Sequence, residues 1–276
     1  MGFGLFFRAH RALPNYLAHM QQLIALFTRF VPRHLLQVWT HWTILRIAFI
    51  WSGNRFEDPI SGKTYRKMLP YGRVNPRPNA LAPHSLSLER HRTIWLFMQR
   101  HTDFFTAPLR MLHLAPEYCY LRLFKKQANL DYVTGDLVSP WADHHFDVHA
   151  IPFEDNAFDV LMANHLLEHV DKDRDVLLEF YRVLKPGGWA ILQVPIDMDN
   201  PNTEEDRSIT DPRERERLYL QSDHLRLYGH ADYPKRLAEA GFEVQVVDVA
   251  DEVGEELAER YCLGSERLVY FVRKPR

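Results

Sequence analysis

From residue 110 to residue 273, short apolar runs alternate with stretches of helical period, and this alternation narrows the fold more than any other feature of the chain. Residues 110–115 read as a buried strand, 120–127 as a helix, and 130–134 as a second strand closing on Gly135 and Asp136. A third, weaker strand is predicted over 146–149 and a fourth over 158–163. A helix is predicted over about 165–184, with Leu166, Leu167, Val170, Leu177, Leu178, Tyr181 and Val183 on its buried side. The run Lys185-Pro186-Gly187-Gly188 stops it. A fifth strand (189–194), a helix (233–240) capped by Gly241, and two last strands (242–249 and 268–273) complete the series. Strands alternating with helices predict an α/β fold: a mostly parallel, Rossmann-like sheet of seven strands, covered by helices on both faces. Such sheets bind ligands outside the carboxyl ends of their strands, where the strand order reverses.

Composition sets the outer bounds. The chain has 276 residues, 46% apolar and 25% charged, which excludes collagen-like, low-complexity and wholly disordered chains. Its formal net charge of −2 gives no global basic field, so no nucleic-acid partner is expected. Two cysteines, Cys119 and Cys262, make neither a disulfide framework nor a four-cysteine zinc site, and a reduced, cytoplasmic protein is expected. The charge is unevenly spread: residues 1–56 hold six arginines and no acid, so an acidic body follows a basic, aromatic-rich start.

Three parts are expected: a basic amphipathic helical extension (1–54), a ribbon-like segment (55–92) and a main domain (93–276). In the first, Leu17, Met20, Leu23, Ile24 and Phe27 recur at helical steps, as do Leu35, Val38, Trp39, Trp42, Leu45, Phe49 and Ile50. It is too polar for a spanning helix, and no secretory signal is evident. Two readings stay open over residues 1–52: a peripheral anchor at the inner membrane face, or helices packed on the body or on a partner subunit. The second part is rich in Pro, Gly, Ser and Asn and reads as loop. It contains a weak doublet, Asp58 and Ser61 in one turn and Ala82 and Ser85 in another, at the spacing of a zinc ribbon but without its cysteines, so no metal is expected there.

At this point the residues carry a resemblance. Ile151-Pro-Phe-Glu-Asp-Asn-Ala-Phe-Asp159, Asn164-His-Leu-Leu-Glu-His-Val170 and Tyr181-Arg-Val-Leu-Lys-Pro-Gly-Gly188 resemble successive blocks of class I S-adenosylmethionine-dependent methyltransferases of the small-molecule, type 11-like kind. Leu69-Pro-Tyr-Gly-Arg, Ser87-Leu-Glu-Arg-His-Arg92, Leu112-His-Leu-Ala-Pro-Glu117 and Gln193-Val-Pro-Ile-Asp197 resemble a bacterial subfamily in which a cysteine-bearing ribbon precedes the methyltransferase domain, here in degenerate form.

The resemblance implies S-adenosyl-L-methionine as cofactor. Asp136, followed by Leu137, takes the place of the acid that accepts both ribose hydroxyls, and Asp147 and Val148 lie on the adenine side. The first block departs from the pattern. His113 stands where the family has an acid, followed by Leu114, while Ala115, Glu117 and Cys119 stand where it has glycines. Glu117 is expected to meet the ammonium of the cofactor from the loop. Asn164 and His165 open onto the reacting centre.

Residues 197–228 are polar and form an expected acceptor lid ending in His224, Arg226 and Tyr228. His165 and His224 are the catalytic candidates, as general bases for a hydroxyl acceptor. The expected partner is a small-molecule, sugar or lipid-like acceptor. Two rivals remain, an inactive relative kept as an interaction module and a nicotinamide oxidoreductase. No Gly-x-Gly-x-x-Gly follows the first strand, which speaks against the second.

Overall fold

The computed structural model describes residues 43–72 and 76–276. The chain divides into two units, residues 1–50 and 51–276. Most of the first, and with it most of the expected amphipathic extension, lies outside the described residues. Residues 43–47 form a helical turn that runs into a 3-10 turn, Ala48–Trp51. Among the described residues no helix is long and apolar enough to cross a membrane.

The second unit begins with two antiparallel hairpins, β1 (Ser52–Asp58) with β2 (Lys63–Tyr65), and β3 (Leu69–Tyr71) with β4 (Arg77–Leu81). The sequence predicted loop here, because strands this short and rich in turn residues leave no apolar alternation to read. Asp58 organises them. It is fully buried, and its carboxylate accepts from Ser61 N and Oγ, from Ile60 N, and from Ser87 Oγ across the gap at 3.1 Å. The first turn singled out in the sequence is therefore joined to Ser87, which follows the second and donates its N–H to Ser85 Oγ.

Next come α1 (Glu89–His101), β5 (Leu109–Leu114), α2 (Tyr118–Phe124), β6 (Leu130–Asp136), β7 (His144–His145) and β8 (Phe158–Asn164). They are followed by α3 (Asp173–Val183), β9 (Leu184–Gln193), β10 (Ile196–Asp197), β11 (Glu204–Glu205), α4 (Pro212–Tyr219), β12 (Arg226–Gly229) and α5 (Asp232–Glu239). The unit closes with β13 (Glu243–Asp248), α6 (Val249–Val253), α7 (Glu255–Arg260) and β14 (Leu268–Arg273).

The main sheet has seven strands in the order β13-β14-β9-β8-β5-β6-β7. The five from β9 to β7 run parallel, and β14 is antiparallel to both its neighbours. Neighbouring residues on one strand serve opposite faces. Met111, Val160 and Met162 pack under Ile94, Phe97 and Phe124, while Leu112, Leu161 and Ala163 pack under Val176, Leu177 and Leu237. Burial on both faces is why these strands read as continuous apolar runs.

Three predicted boundaries shift. Residues 165–172 are turns rather than the start of a helix, since His165 takes a left-handed φ of 52° and α3 begins only at Asp173. The Lys-Pro-Gly-Gly run belongs to β9: Gly187 has φ 79°, and a Cβ on Gly188 would lie 2.9 Å from the Asp159 carbonyl. The weak third strand sits at His144–His145, because the Phe146 ring is laid over Gly135, leaving no room for a side chain there.

Candidate functional site

The order of strands reverses between β5 and β8: the chain builds outward from β5 through β6 to β7, then returns to β8 on the other side. The carboxyl ends of β5, β6 and β8 place His113, Asp136 and Asn164 around one mouth, as the fold rule requires.

A hydrogen-bonded chain crosses the floor of that mouth. His113 is fully buried; Nε2 donates to Glu117 Oε2 at 2.6 Å, and Nδ1 accepts from the Tyr132 hydroxyl at 2.7 Å. Since a carboxylate only accepts here, its position fixes the tautomer of His113. The other oxygen, Oε1, accepts from Asn164 Nδ2 at 2.8 Å and lies 3.5 Å from His91 Nε2. His91 Nδ1 accepts from Leu88 N, so Nε2 carries the hydrogen that faces Glu117. Burial opposes ionisation of Glu117, but the hydrogen bond from His113 and the facing His91 ring outweigh it and hold the carboxyl well below its ordinary range. Burial also pushes His91 down to about 4, so its ring is neutral.

Glu117 thus brings a negative charge to where His113 replaced the family's acid. Its side chain is 14% exposed. Asn164 Oδ1 is buried without a hydrogen-bond partner, a free acceptor at the same place. Ala115 holds φ 48°, the conformation a glycine would take without strain, and its N–H donates to Gly135 O.

Asp136 is partly buried at the end of β6. Its Oδ1 accepts from the main-chain N–H of Val138 and Ser139, which leaves Oδ2 for another donor. Leu137 is 64% exposed beside it. Asp147 is largely exposed, with Oδ1 engaged by His149, whereas Val148 is buried. The structure therefore gathers His113, Leu114, Ala115, Glu117, Asp136 and Asn164 at one edge of the sheet.

His165 lies at that edge with Nδ1 3.0 Å from Glu168 Oε1. His224 does not open to solvent: it is fully buried, and Nδ1 donates to Tyr219 O at 2.6 Å. Arg226 and Tyr228, expected to offer a cation and a hydroxyl to an acceptor, are instead consumed internally. Arg226 donates to the carbonyls of Leu167, Val170 and Asp171, and Tyr228 to Asp173. They brace the turn after β8, and so position it rather than meet an acceptor. Sequence reasoning missed His91 and Tyr132 as parts of the mouth, since neither stands in a strand-end block.

Comparison with known proteins fits this geometry. Residues 112–192 match the family model described as a methyltransferase domain. The chain is 42% identical over 72 residues to a ubiquinone/menaquinone biosynthesis C-methyltransferase of Ruegeria sp., covering 25% of this chain and 24% of that one. A protein of the same description from Desulfotalea psychrophila is 50% identical over 45 residues, 16% of this chain and 18% of that one. The chain thus spans about a quarter or less of these relatives. Among solved structures, the [4+2]-cyclase SpnF superposes with a TM-score of 0.50 at 18% identity, over 79% of this chain and 91% of that one. The fold is that of the class I methyltransferases. The bacterial subfamily with a degenerate ribbon finds no support in these comparisons.

Proposed function

We propose that the chain is an S-adenosylmethionine-dependent methyltransferase acting on a small molecule. One observation supports this most: at the switch point of a seven-stranded sheet of this order, a carboxylate (Glu117), an orphaned amide oxygen (Asn164) and a second carboxylate (Asp136) share one mouth.

The donor set fits the cofactor. An ammonium would satisfy Asn164 Oδ1 and balance Glu117, and Asp136 Oδ2 would accept from a ribose hydroxyl, whereas Val148, expected beside the adenine, is packed in the core. No phosphate needs to be cradled, so the absent glycines do not deprive the cofactor of a contact it requires. When bound, the cofactor supplies a methyl group already activated on a sulfonium. The protein then has to align an acceptor, keep water out and, for a hydroxyl acceptor, take its proton. His165 suits the last of these roles, because it is partly exposed and Glu168 beside it would stabilise an imidazolium. His224 acts on this reading only through the packing of the lid. The class of acceptor, sugar or lipid-like, belongs to the same proposal, as do a cytoplasmic location and a docking role for residues 1–52.

The test is formation of S-adenosylhomocysteine, followed by mass spectrometry over a panel of phenols, quinols, sugars and amines. Acceptor-dependent product that disappears in Asp136→Ala supports the proposal. Tight cofactor binding with no turnover on any acceptor class would favour the inactive interaction module instead.

A further inference from the structure

Beside the mouth, the turn after β8 and the loop before β12 bring together Glu168, His169 and His224, with one ligand atom of each within 4.8 Å of the others. Glu168 is fully buried, yet neither carboxylate oxygen has a hydrogen-bond partner. His165 Nδ1 approaches Oε1 to 3.0 Å without hydrogen-bonding geometry. His224 is equally buried. Its Nδ1 donates to the Tyr219 carbonyl, so Nε2 is a bare lone pair, and it too has no partner. His169 Nδ1 donates to the Asp223 carbonyl at 3.4 Å, which leaves its Nε2 bare as well.

Buried acceptors do not face one another unpartnered in a stable interior, because each forfeits its hydration for nothing. A cation among them removes the conflict. We propose that Glu168, His169 and His224 bind a divalent transition-metal ion, zinc in the first instance. Two imidazoles and a carboxylate are a common zinc set, and they leave a coordination position open. Both rings already show the outer arrangement of metal-bound histidines, with the remote N–H given to a main-chain carbonyl. His169 is the solvent-facing ligand, its side chain 33% exposed, and provides the way in. The ion would add a tie between residues 168–169 and the loop at 224, beside the Leu225 N–H to the Glu168 carbonyl and the Arg226 bonds to the same turn. The Asp143-His144-His145 run plays no part. This site stands whether or not the chain transfers methyl groups.

The experiment strips the full chain with a chelator and titrates zinc chloride by calorimetry without cofactor, then follows the visible spectrum of cobalt(II) in its place. One zinc per chain is expected in the wild type. His169→Ala, at an exposed ring whose loss leaves the core packed, should weaken binding by more than the ~10–100-fold that loss of an outer-shell partner costs. Glu168→Gln should abolish the cobalt spectrum. Zinc uptake unchanged by His169→Ala would place the metal on other histidines and overturn the proposal. No uptake, with nuclear magnetic resonance showing a His224 imidazolium bound to Glu168, would overturn it in favour of a shared proton.

Discussion

Glu117 accepts from the His113 imidazole and the Asn164 amide, with the His91 ring facing it at 3.5 Å, and these contacts offset the loss of solvation of its charge. His91 contributes to this as a neutral donor, and its neutrality has a consequence for pH. Its folded value is near 4 while the unfolded ring titrates near 6.5. Above pH 6.5 both states are neutral. As pH falls through the window between the two values, the unfolded chain takes a proton that the folded chain refuses, and stability drops by about 2 kcal/mol by pH 5. Urea unfolding at several pH values in this window should show a shallower slope for His91→Asn than for the wild type. A second expectation concerns Asp136: replacement by Ala should cost ~2–4 kcal/mol of S-adenosylmethionine binding with little change in melting temperature. At Ala115 the left-handed backbone strains a residue with a Cβ, so Ala115→Gly should be neutral or stabilising by up to ~1 kcal/mol, measured by thermal melting. Asp136, Glu117 and Asn164 are legible in the sequence because block spacing ties them to strand ends. His91 and Tyr132 are not, because neither stands at a strand end: one reaches the mouth from α1 and one from the middle of β6.

At the scale of elements, the strands of the main sheet are readable because burial on both faces leaves uninterrupted apolar runs, as at Met111-Leu112 and Val160-Leu161-Met162. The helix expected from residue 165 fails because the apolar residues of the turn, Leu166, Leu167 and Val170, fall at helical spacing while the backbone is held out of helix by Arg226. Arg226 belongs to a strand some sixty residues later, and no local pattern announces it. The hairpins before α1 are hidden for another reason. Their cohesion lies in polar contacts to Asp58 and to the fully buried Arg92, which donates to carbonyls of Ala80, Ser87, Tyr261 and Cys262. Asp58→Ala should therefore leave Ser87 Oγ and the main-chain donors of the turn without partners and destabilise the chain by ~2–4 kcal/mol, read from denaturant midpoints. An equal loss in near-ultraviolet signal with the main sheet intact would show that the hairpins melt as a local unit.

At the scale of the whole molecule, the carboxyl edge of the sheet carries the candidate site, and the segment after β9 folds against the turn that follows β8. The sequence predicts that this segment lies over an acceptor with His224, Arg226 and Tyr228 exposed. Instead it forms a small three-stranded sheet of β10, β12 and β11 whose buried groups are spent on bracing. On the proposed function, the partly exposed His165 is then the candidate for taking an acceptor's proton, and His224→Ala should act on stability rather than on a proton transfer. The central claim is that this mouth holds S-adenosylmethionine. The most direct measurement is calorimetric titration of the full chain with S-adenosylmethionine, S-adenosylhomocysteine and NAD in parallel. The account predicts a single site for the first two, weakened together by Asp136→Ala and by Glu117→Gln, and no heat from NAD. Binding of NAD, or affinity for S-adenosylmethionine unchanged in both variants, would contradict it.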